Sequence, residues 1–297
     1  MMICCGEVSN AMKMIKPIVN FAKIADDYDT FVFGFNGVLS DGNVIFPAAA
    51  DCLKKLAAMK KKIVIVSNMA LRVVEVVEQL QKCGVPAGVF ANIVTAGEML
   101  HYRLKYPRGD YEAVGEIYYQ IGDAAYSKVM SNLPHQRTNM ISKAHFLFMS
   151  STASANDTID AYRPSLEQAV SFGLPFICAG NDTSCFKEGK LSLAPGAFAE
   201  AYAVLGGRVI TLGKPDVRML NYALEGLGDI SRVVVVGDNA ATDIKMAAIA
   251  GYPSVLVSKG RHINYLGEGY IPDVAKTREL SNSFDVSPDC VISEVRW

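Results

Sequence analysis

The sequence predicts an α/β fold with a parallel β-sheet, because strand-like and helix-like segments alternate along the chain. Two segments have the same form: a run of β-branched residues, a turn, and then apolar residues at helical spacing. Their strand runs, residues 63–66 and 233–236, are continuously apolar, which is typical of strands covered by helices on both faces. Repeated βαβ units of this kind build a parallel sheet that binds ligands at the carboxyl ends of its strands.

The first strand is predicted at Phe31–Phe35, and the polar stretch after it allows two interpretations. In the first, a parallel central strand ends near Phe33 and the following residues form a loop at the edge of the sheet. In the second, Asn36-Gly37 is the type I′ turn of a β-hairpin. The hairpin would pair Phe31–Phe35 with Val38–Ser40 in antiparallel fashion, so the two interpretations predict different sheets.

The other elements suggest a core with a second domain inserted into it. A helix is predicted after each apolar strand run, one from about Leu71 and ended by Gly84, the other from about Thr242 to Ala250. The middle of the chain has weaker strands, "EIYYQIG", "AHFLFMS" and "PFICAG", and a helix in "GAFAEAYAVLGG". The predicted divisions are a core at 20–95 and 208–285, an inserted α/β domain at 96–207, an N-terminal extension at 1–19 and a C-terminal tail at 286–297.

Composition narrows the classes of function. The chain has 297 residues and a formal net charge of -1, so no broad positive field favours nucleic acid. Seven Cys without a C-x-x-C pair indicate reduced thiols, and no apolar run reaches the ~18 residues of a membrane span. The N-terminal stretch also lacks a signal-peptide pattern. We therefore predict a cytoplasmic protein without nucleic-acid or membrane partners.

Polar side chains follow the two apolar strand runs. Asp238 and Asp243 suit a hard cation such as Mg²⁺, although the same residues also favour a turn and a helix start. Ser67 and Asn68 lie where a strand meets a helix, and they form either a phosphate cradle or a plain N-cap. Dinucleotide-binding, Walker A and α/β-hydrolase motifs are absent from the sequence.

Lys214 lies between Gly213 and Pro215 in the stretch "TLGKPD". A lysine at such a junction neutralises phosphate charge as a mobile point charge, or it is a solvated surface residue. Pro215 is predicted in the first turn of the helix "DVRMLNYALEGLG", where proline is favoured.

Taken in order, "FGFNGVLSDG", "VIVSNMA", "LGKP" and "VVGDNAATDI" resemble the four motifs of the haloacid dehalogenase (HAD) superfamily of phosphohydrolases. The long insert between the second and third motifs resembles subfamily IIA, which includes NagD-type sugar-phosphate and nitrophenyl phosphatases. The resemblance implies a HAD-like Rossmannoid core with an inserted type C2 cap. It also implies a Mg²⁺ cofactor, a small phosphorylated ligand or anion, and allows a homodimer.

The resemblance assigns roles to the seven candidate site residues. Ser67, with Asn68 beside it, and Lys214 match phosphate-binding positions, and Asp238 and Asp243 match the acids of the metal site.

The first motif departs from the family pattern. Its two catalytic acids, the nucleophile and the general acid/base, are replaced by Gly34 and Asn36. Glycine cannot form an aspartyl-phosphate, and an amide cannot shuttle a proton near neutral pH.

Two functions follow from this departure. The first is a HAD-like binding or regulatory protein whose hydrolase mechanism is disabled. The second is an active Mg²⁺-dependent phosphohydrolase with a non-covalent mechanism, in which a water beside Gly34 attacks phosphorus and Asp41 helps as a base.

Overall fold

The structure is a computed structural model that describes residues 14–187 and 189–297. Its strands are β1 (Lys16–Pro17), β2 (Thr30–Phe33), β3 (Lys62–Ser67), β4 (Asn92–Thr95), β5 (Ile117–Gln120), β6 (Gln136–Thr138), β7 (Phe146–Met149), β8 (Phe176–Ala179), β9 (Ser184–Lys187), β10 (Lys190–Leu193), β11 (Val209–Leu212), β12 (Val233–Gly237), β13 (Ser254–Val257) and β14 (Cys290–Ile292). Its α-helices are α1 (Pro47–Ala58), α2 (Val73–Lys82), α3 (Ala96–Lys105), α4 (Ile159–Ser171), α5 (Pro195–Val204), α6 (Val217–Leu224), α7 (Lys245–Ala250), α8 (Ile263–Leu266) and α9 (Val274–Asn282). None of the helices in this part of the chain is long and apolar enough to cross a membrane.

The core is a seven-stranded sheet in the order β1-β14-β13-β12-β2-β3-β4, and every neighbouring pair in it is parallel. β2 lies in its interior, with Phe31 opposite Val234 on one side and Ile63 on the other. The parallel-strand interpretation is therefore confirmed, and the hairpin alternative is wrong. The hairpin fails because both edges of β2 are already paired with strands that are distant in sequence.

Side chains of β2 alternate between two apolar layers, which explains why the strand reads as a continuous apolar run. Phe31 and Phe33 pack on one face with α1 and α2, whereas Val32 packs on the other with α3, α6 and α7. All three side chains are essentially buried. Burying each ring contributes on the order of 2 to 3 kcal/mol, so this strand anchors the loop that follows it.

The inserted domain has its own five-stranded parallel sheet, in the order β11-β8-β7-β5-β6. Helices α4 and α5 cover one face, and α3 lies between the other face and the core sheet. An antiparallel hairpin of β9 and β10 projects from this domain. The α/β fold class, with a HAD-like parallel core and an inserted α/β cap, is confirmed.

Three predicted boundaries need correction. β11 pairs with β8, so the cap sheet extends past the predicted boundary at 207. β14 lies in the predicted tail and β1 in the predicted N-terminal extension, yet both belong to the core sheet. β1 has two residues and β14 three, which is too short to show a hydrophobic period, so no sequence pattern predicted these strands. The rest of the predicted extension, residues 1–13, lies outside the described residues.

The helix predicted at 242–250 has an irregular start. Residues Ala240–Ile244 form a π-helical turn, and the regular helix α7 begins only at Lys245. The Asn239 side chain accepts a hydrogen bond from the amide of Ala241 and caps this turn. The π turn carries Asp243, and such turns are frequent at functional sites.

Candidate active site

The loops that follow β2, β3, β11 and β12 meet around a small cavity of about 60 Å³ between the core and the cap. Its walls include six of the seven predicted site residues: Asn36, Ser67, Asn68, Lys214, Asp238 and Asp243. The seventh, Gly34, lies directly behind them. The structure therefore brings together residues that are up to about 200 positions apart in sequence, as expected for the carboxyl edge of a parallel sheet.

Gly34 is the first residue after β2, and its position faces the charged groups of the site. Its amide donates to the Val236 carbonyl at 2.8 Å, which ties this loop to β12. A Cβ at position 34 would lie 3.7 Å from Lys214 Nζ, 3.5 Å from Asp243 Oδ1 and 3.1 Å from Val38 Cγ2. A side chain there would therefore point at the lysine and would need only a small shift of Val38.

Lys214 and Asp243 form a buried ion pair with an Nζ to Oδ1 distance of 2.6 Å. Lys214 Nζ also donates to the carbonyl of Val66 at 3.0 Å, so two of its three donors are used. Burial alone would lower the pKa of Lys214, but the nearby carboxylates of Asp243, Asp182 and Asp238 outweigh it and raise that pKa. The lysine is consequently charged at neutral pH, and its position is fixed by the pair.

Asn68 holds the backbone of Lys214 in place. Its Oδ1 accepts from the Lys214 amide at 2.7 Å, and its Nδ2 donates to the Lys214 carbonyl at 3.3 Å. Ser67 Oγ accepts from the Met69 amide at 3.2 Å and so stabilises the turn after β3. In this structure both side chains shape the turns around the cavity, and their contact with phosphate stays a prediction.

The expected position of Pro215 is wrong. It follows Lys214 through a cis peptide bond and precedes Asp216, the N-cap of α6, so it lies outside the first turn of the helix. The N-cap role falls to Asp216, whose side chain accepts from the Arg218 amide. Proline is only statistically favoured in the first turn of a helix. Here the backbone of Lys214, just before Pro215, is held by Asn68, and the helix begins after Asp216.

Asp238 lies at the end of β12 and is buried. Its Oδ2 accepts from the backbone amide of Arg261 at 2.7 Å. Burial, and then the charge of Asp243, raise the pKa of Asp238 to about 7. Of the two acids in the β12 loop, Asp238 is thus the one without a cationic side chain bonded to it.

Asn36 reaches from the core to the cap hairpin. Its Oδ1 accepts from the amide of Phe186 on β9 at 3.2 Å, and its Nδ2 donates to the carbonyl of the same residue at 3.2 Å. The side chain at the predicted acid/base position is therefore occupied by the cap backbone.

Two further residues, which the sequence did not single out, join the core to the cap. Asp182 of the cap accepts from Asn239 Nδ2 at 2.7 Å and from Thr242 Oγ1 at 3.2 Å. Arg261 of the core donates to the Ser184 carbonyl at 2.7 Å and to Thr183 Oγ1 at 2.6 Å. Neither Asp182 nor Arg261 lies in one of the four motifs, so the motifs did not mark them.

Comparison with known proteins agrees with this fold. The family model for HAD-hydrolase-like proteins matches residues 211–277, and that for haloacid dehalogenase-like hydrolases matches residues 31–129. The crystal structure of a haloacid dehalogenase-like hydrolase from Brucella suis 1330 superposes with a TM-score of 0.76 at 25% identity, covering 93% of this chain and 98% of that one. The chain belongs to the haloacid dehalogenase superfamily. Its inserted cap agrees with subfamily IIA.

Other relatives of this HAD protein are phosphatases. The 4-nitrophenylphosphatase of Thermotoga maritima superposes with a TM-score of 0.63 at 21% identity, covering 91% of this chain and 96% of that one. A glycerol phosphate phosphatase of Mycobacterium tuberculosis, solved with magnesium, superposes with a TM-score of 0.58 at 22% identity. The match covers 80% of this chain and 70% of that one. The 5'-nucleotidase YutF of Bacillus subtilis is 33% identical over 94 residues, which is 31% of this chain. The match spans only 37% of that curated relative.

The superfamily implies a Mg²⁺ ion at this edge, but the donor set of this HAD protein falls short of a tight site. Asp238 Oδ2 already accepts from Arg261, Asp243 is paired with Lys214, and Gly34 adds no ligand. Among the described residues, no three His, Cys, Asp or Glu side chains are placed to hold one metal ion. Mg²⁺ commonly uses one or two carboxylates with water and substrate phosphate, but here one of the two acids is taken up by Lys214, so the residues present fit at most a weakly held ion.

Proposed function

We propose that this HAD protein binds a small phosphorylated molecule or a free phosphate, and that it does not hydrolyse phosphomonoesters through an aspartyl-phosphate. The observation that carries the proposal is the position of Gly34. It lies where a side chain would face Lys214 and Asp243, and it has no side chain to attack phosphorus.

The two missing acids remove both halves of the covalent mechanism. Without a carboxylate at position 34 no acyl-phosphate bond to phosphorus can form. Asn36 has no titratable proton, and both ends of its amide are bonded to Phe186. Loss of a nucleophile costs on the order of 10⁴ to 10⁶ in rate, so the residual covalent turnover is negligible.

Several groups support anion binding. Lys214 is charged and keeps one N–H beyond its bonds to Asp243 and Val66. Ser67 and Asn68 line the same cavity next to it. Asp238 could supply only a weak divalent-ion site, and no step of this proposal depends on a metal.

Direct attack by water, the second candidate, is not favoured by the structure. Asp41 was the candidate base, but its Oδ1 accepts from the amides of Asn43 and Val44 in a local turn. It does not line the cavity of the site. The homodimer and the cytoplasmic location stay predictions.

The test combines an activity assay with a binding assay on the wild-type chain. Purified protein is assayed with Mg²⁺ against a broad panel of phosphomonoesters, and inorganic phosphate binding is measured by calorimetry. We expect phosphate binding without turnover above the blank. Turnover that survives stringent purification and disappears in Asp238→Ala would overturn the proposal, and so would the absence of any anion binding.

A further inference from the structure

We propose that Asn36 and Arg261 fasten the cap hairpin, β9 and β10, onto the core, and that the fastened hairpin limits the ligand to a free oxyanion of the size of inorganic phosphate. The attachment of the hairpin is inferred only from the hydrogen bonds of Asn36 and Arg261. The ligand class rests on the proposed function, because it concerns the same cavity.

The Asn36 contact requires an amide. A peptide unit presents one donor and one acceptor, and the Asn36 side chain matches both at Phe186, as a neighbouring strand would. An ionised aspartate could accept from the Phe186 amide, but it would face the Phe186 carbonyl with a second acceptor. The replacement that removes the proton shuttle therefore also creates a bond between core and cap.

The hairpin strand is held at consecutive points along its length. The Arg261 side chain bonds to Thr183 and Ser184, and Asn36 bonds to Phe186 two residues further on. Asp182, just before the strand, accepts from Asn239. The core loops after β2, β12 and β13 thus each form hydrogen bonds with residues 182–186 of the cap.

Close packing accompanies these bonds. A Cβ at Gly42 would lie 2.7 Å from the Phe186 carbonyl oxygen and 3.0 Å from Asn36 Nδ2. The backbone of the core loop therefore lies directly against the hairpin, and only glycine allows this approach.

The fastened hairpin leaves little room for a ligand. The cavity between core and cap measures about 60 Å³, and its cap-side walls include Tyr126, Asp182 and Cys185. Pockets for whole small molecules are on the order of 300 to 1,000 Å³. A tetrahedral oxyanion beside Lys214 is consistent with the space present, whereas a sugar attached to it exceeds the volume of the cavity while the hairpin is fastened.

The fastening is tested by hydrogen exchange of the amides at residues 183–187. Asn36→Asp removes the donor to Phe186, and Asn92→Asp is the matched control, because Asn92 Nδ2 donates to the Ala223 carbonyl far from the hairpin. We expect the amides of residues 183–187 to exchange at least tenfold faster in Asn36→Asp than in the wild-type chain. In Asn92→Asp we expect their exchange rates to be unchanged. Unchanged protection in Asn36→Asp would overturn the fastening. Exchange in β7 serves as the check that both variants are folded.

The ligand class is tested by calorimetry with inorganic phosphate, glycerol 3-phosphate and glucose 6-phosphate. We expect the wild-type chain to bind phosphate at least tenfold more tightly than glucose 6-phosphate, and Asn36→Asp to narrow that ratio. Equal affinities in the wild-type chain would overturn the size limit while leaving the proposed function intact. Binding of none of the three would overturn both, and the exchange experiment would still decide the fastening.

Discussion

The loops after β2 and β12 lie side by side at the same edge of the core sheet, yet they differ in chemistry. The β12 loop carries Asp238 and Asp243, whereas the β2 loop carries Gly34 and Asn36 at the positions where the family resemblance predicts catalytic acids. The difference follows from what each side chain does for the fold. Removing Asp243 would leave the Lys214 charge buried and unpaired, whereas with no side chain at Gly34 the lysine still keeps its partner Asp243.

The largest effect is expected when two aspartates are introduced into the β2 loop, so that both loops carry acids. In Gly34→Asp/Asn36→Asp we expect phosphatase activity at least ~10³-fold above the wild-type chain, since the nucleophile is returned beside Lys214. The assay uses p-nitrophenyl phosphate with Mg²⁺. Gly34→Asn/Asn36→Asp is the control, because asparagine has nearly the size and shape of aspartate but no carboxylate. Equal rates in the two variants would contradict the assignment of position 34.

The second prediction concerns the β12 loop, which keeps its two acids. Lys214→Met should lower the free energy of unfolding by about 3 to 5 kcal/mol, because it leaves Asp243 buried without its partner. Arg163→Met, which breaks the exposed pair with Asp160, should cost no more than about 0.5 kcal/mol. Urea unfolding measures both. Similar losses in the two variants would show that the buried pair has no special structural role.

A smaller loss is expected where the β2 loop meets the cap. Gly42→Ala should cost about 2 to 3 kcal/mol, because its φ is +95° and its Cβ would meet the Phe186 carbonyl. Gly173→Ala is matched in having a positive φ, but its Cβ meets nothing within 4 Å, so about 1 kcal/mol is expected. Thermal unfolding compares the two. Equal losses of stability in the two variants would show that the close contact between Gly42 and the Phe186 carbonyl has no cost for a larger side chain.

The smallest effect lies outside the site, at the half-exposed pair of Arg72 and Glu98. Burial would raise the pKa of Glu98, but hydrogen bonds from Arg72 and from the Val73 amide outweigh it and lower that pKa. The stabilisation is therefore present above the unfolded-state pKa of Glu98 and is lost as the pH falls through the folded-state value. Glu98→Gln should cost under about 1 kcal/mol at pH 7 and nothing well below pH 4. A difference that is independent of pH would exclude this origin.

The sequence predicted the parts of the molecule that follow regular patterns. The long apolar strands and their parallel pairing follow from periodicity, and the placing of the site residues at one edge of the sheet follows from the motifs. The bonds of Asn36 to Phe186 and of Asn68 to Lys214 could not be predicted, because each joins a side chain to a backbone about 150 residues away. A side chain bonded to a distant backbone requires no particular partner residue, so it leaves no pattern to read.

The order of the strands along the chain has a consequence for synthesis on the ribosome. All five strands of the cap sheet lie in one continuous stretch, Ile117 to Leu212, whereas the core sheet needs β12, β13 and β14 from beyond it. The nascent chain therefore holds β2 and β3 with one sheet edge open while the cap is made. At 5–20 residues per second this wait lasts roughly 10 to 30 seconds, during which the edge of β2 that pairs with β12 in the finished fold stays unpaired. We expect chaperones that bind apolar strands to act on the first hundred residues of this protein.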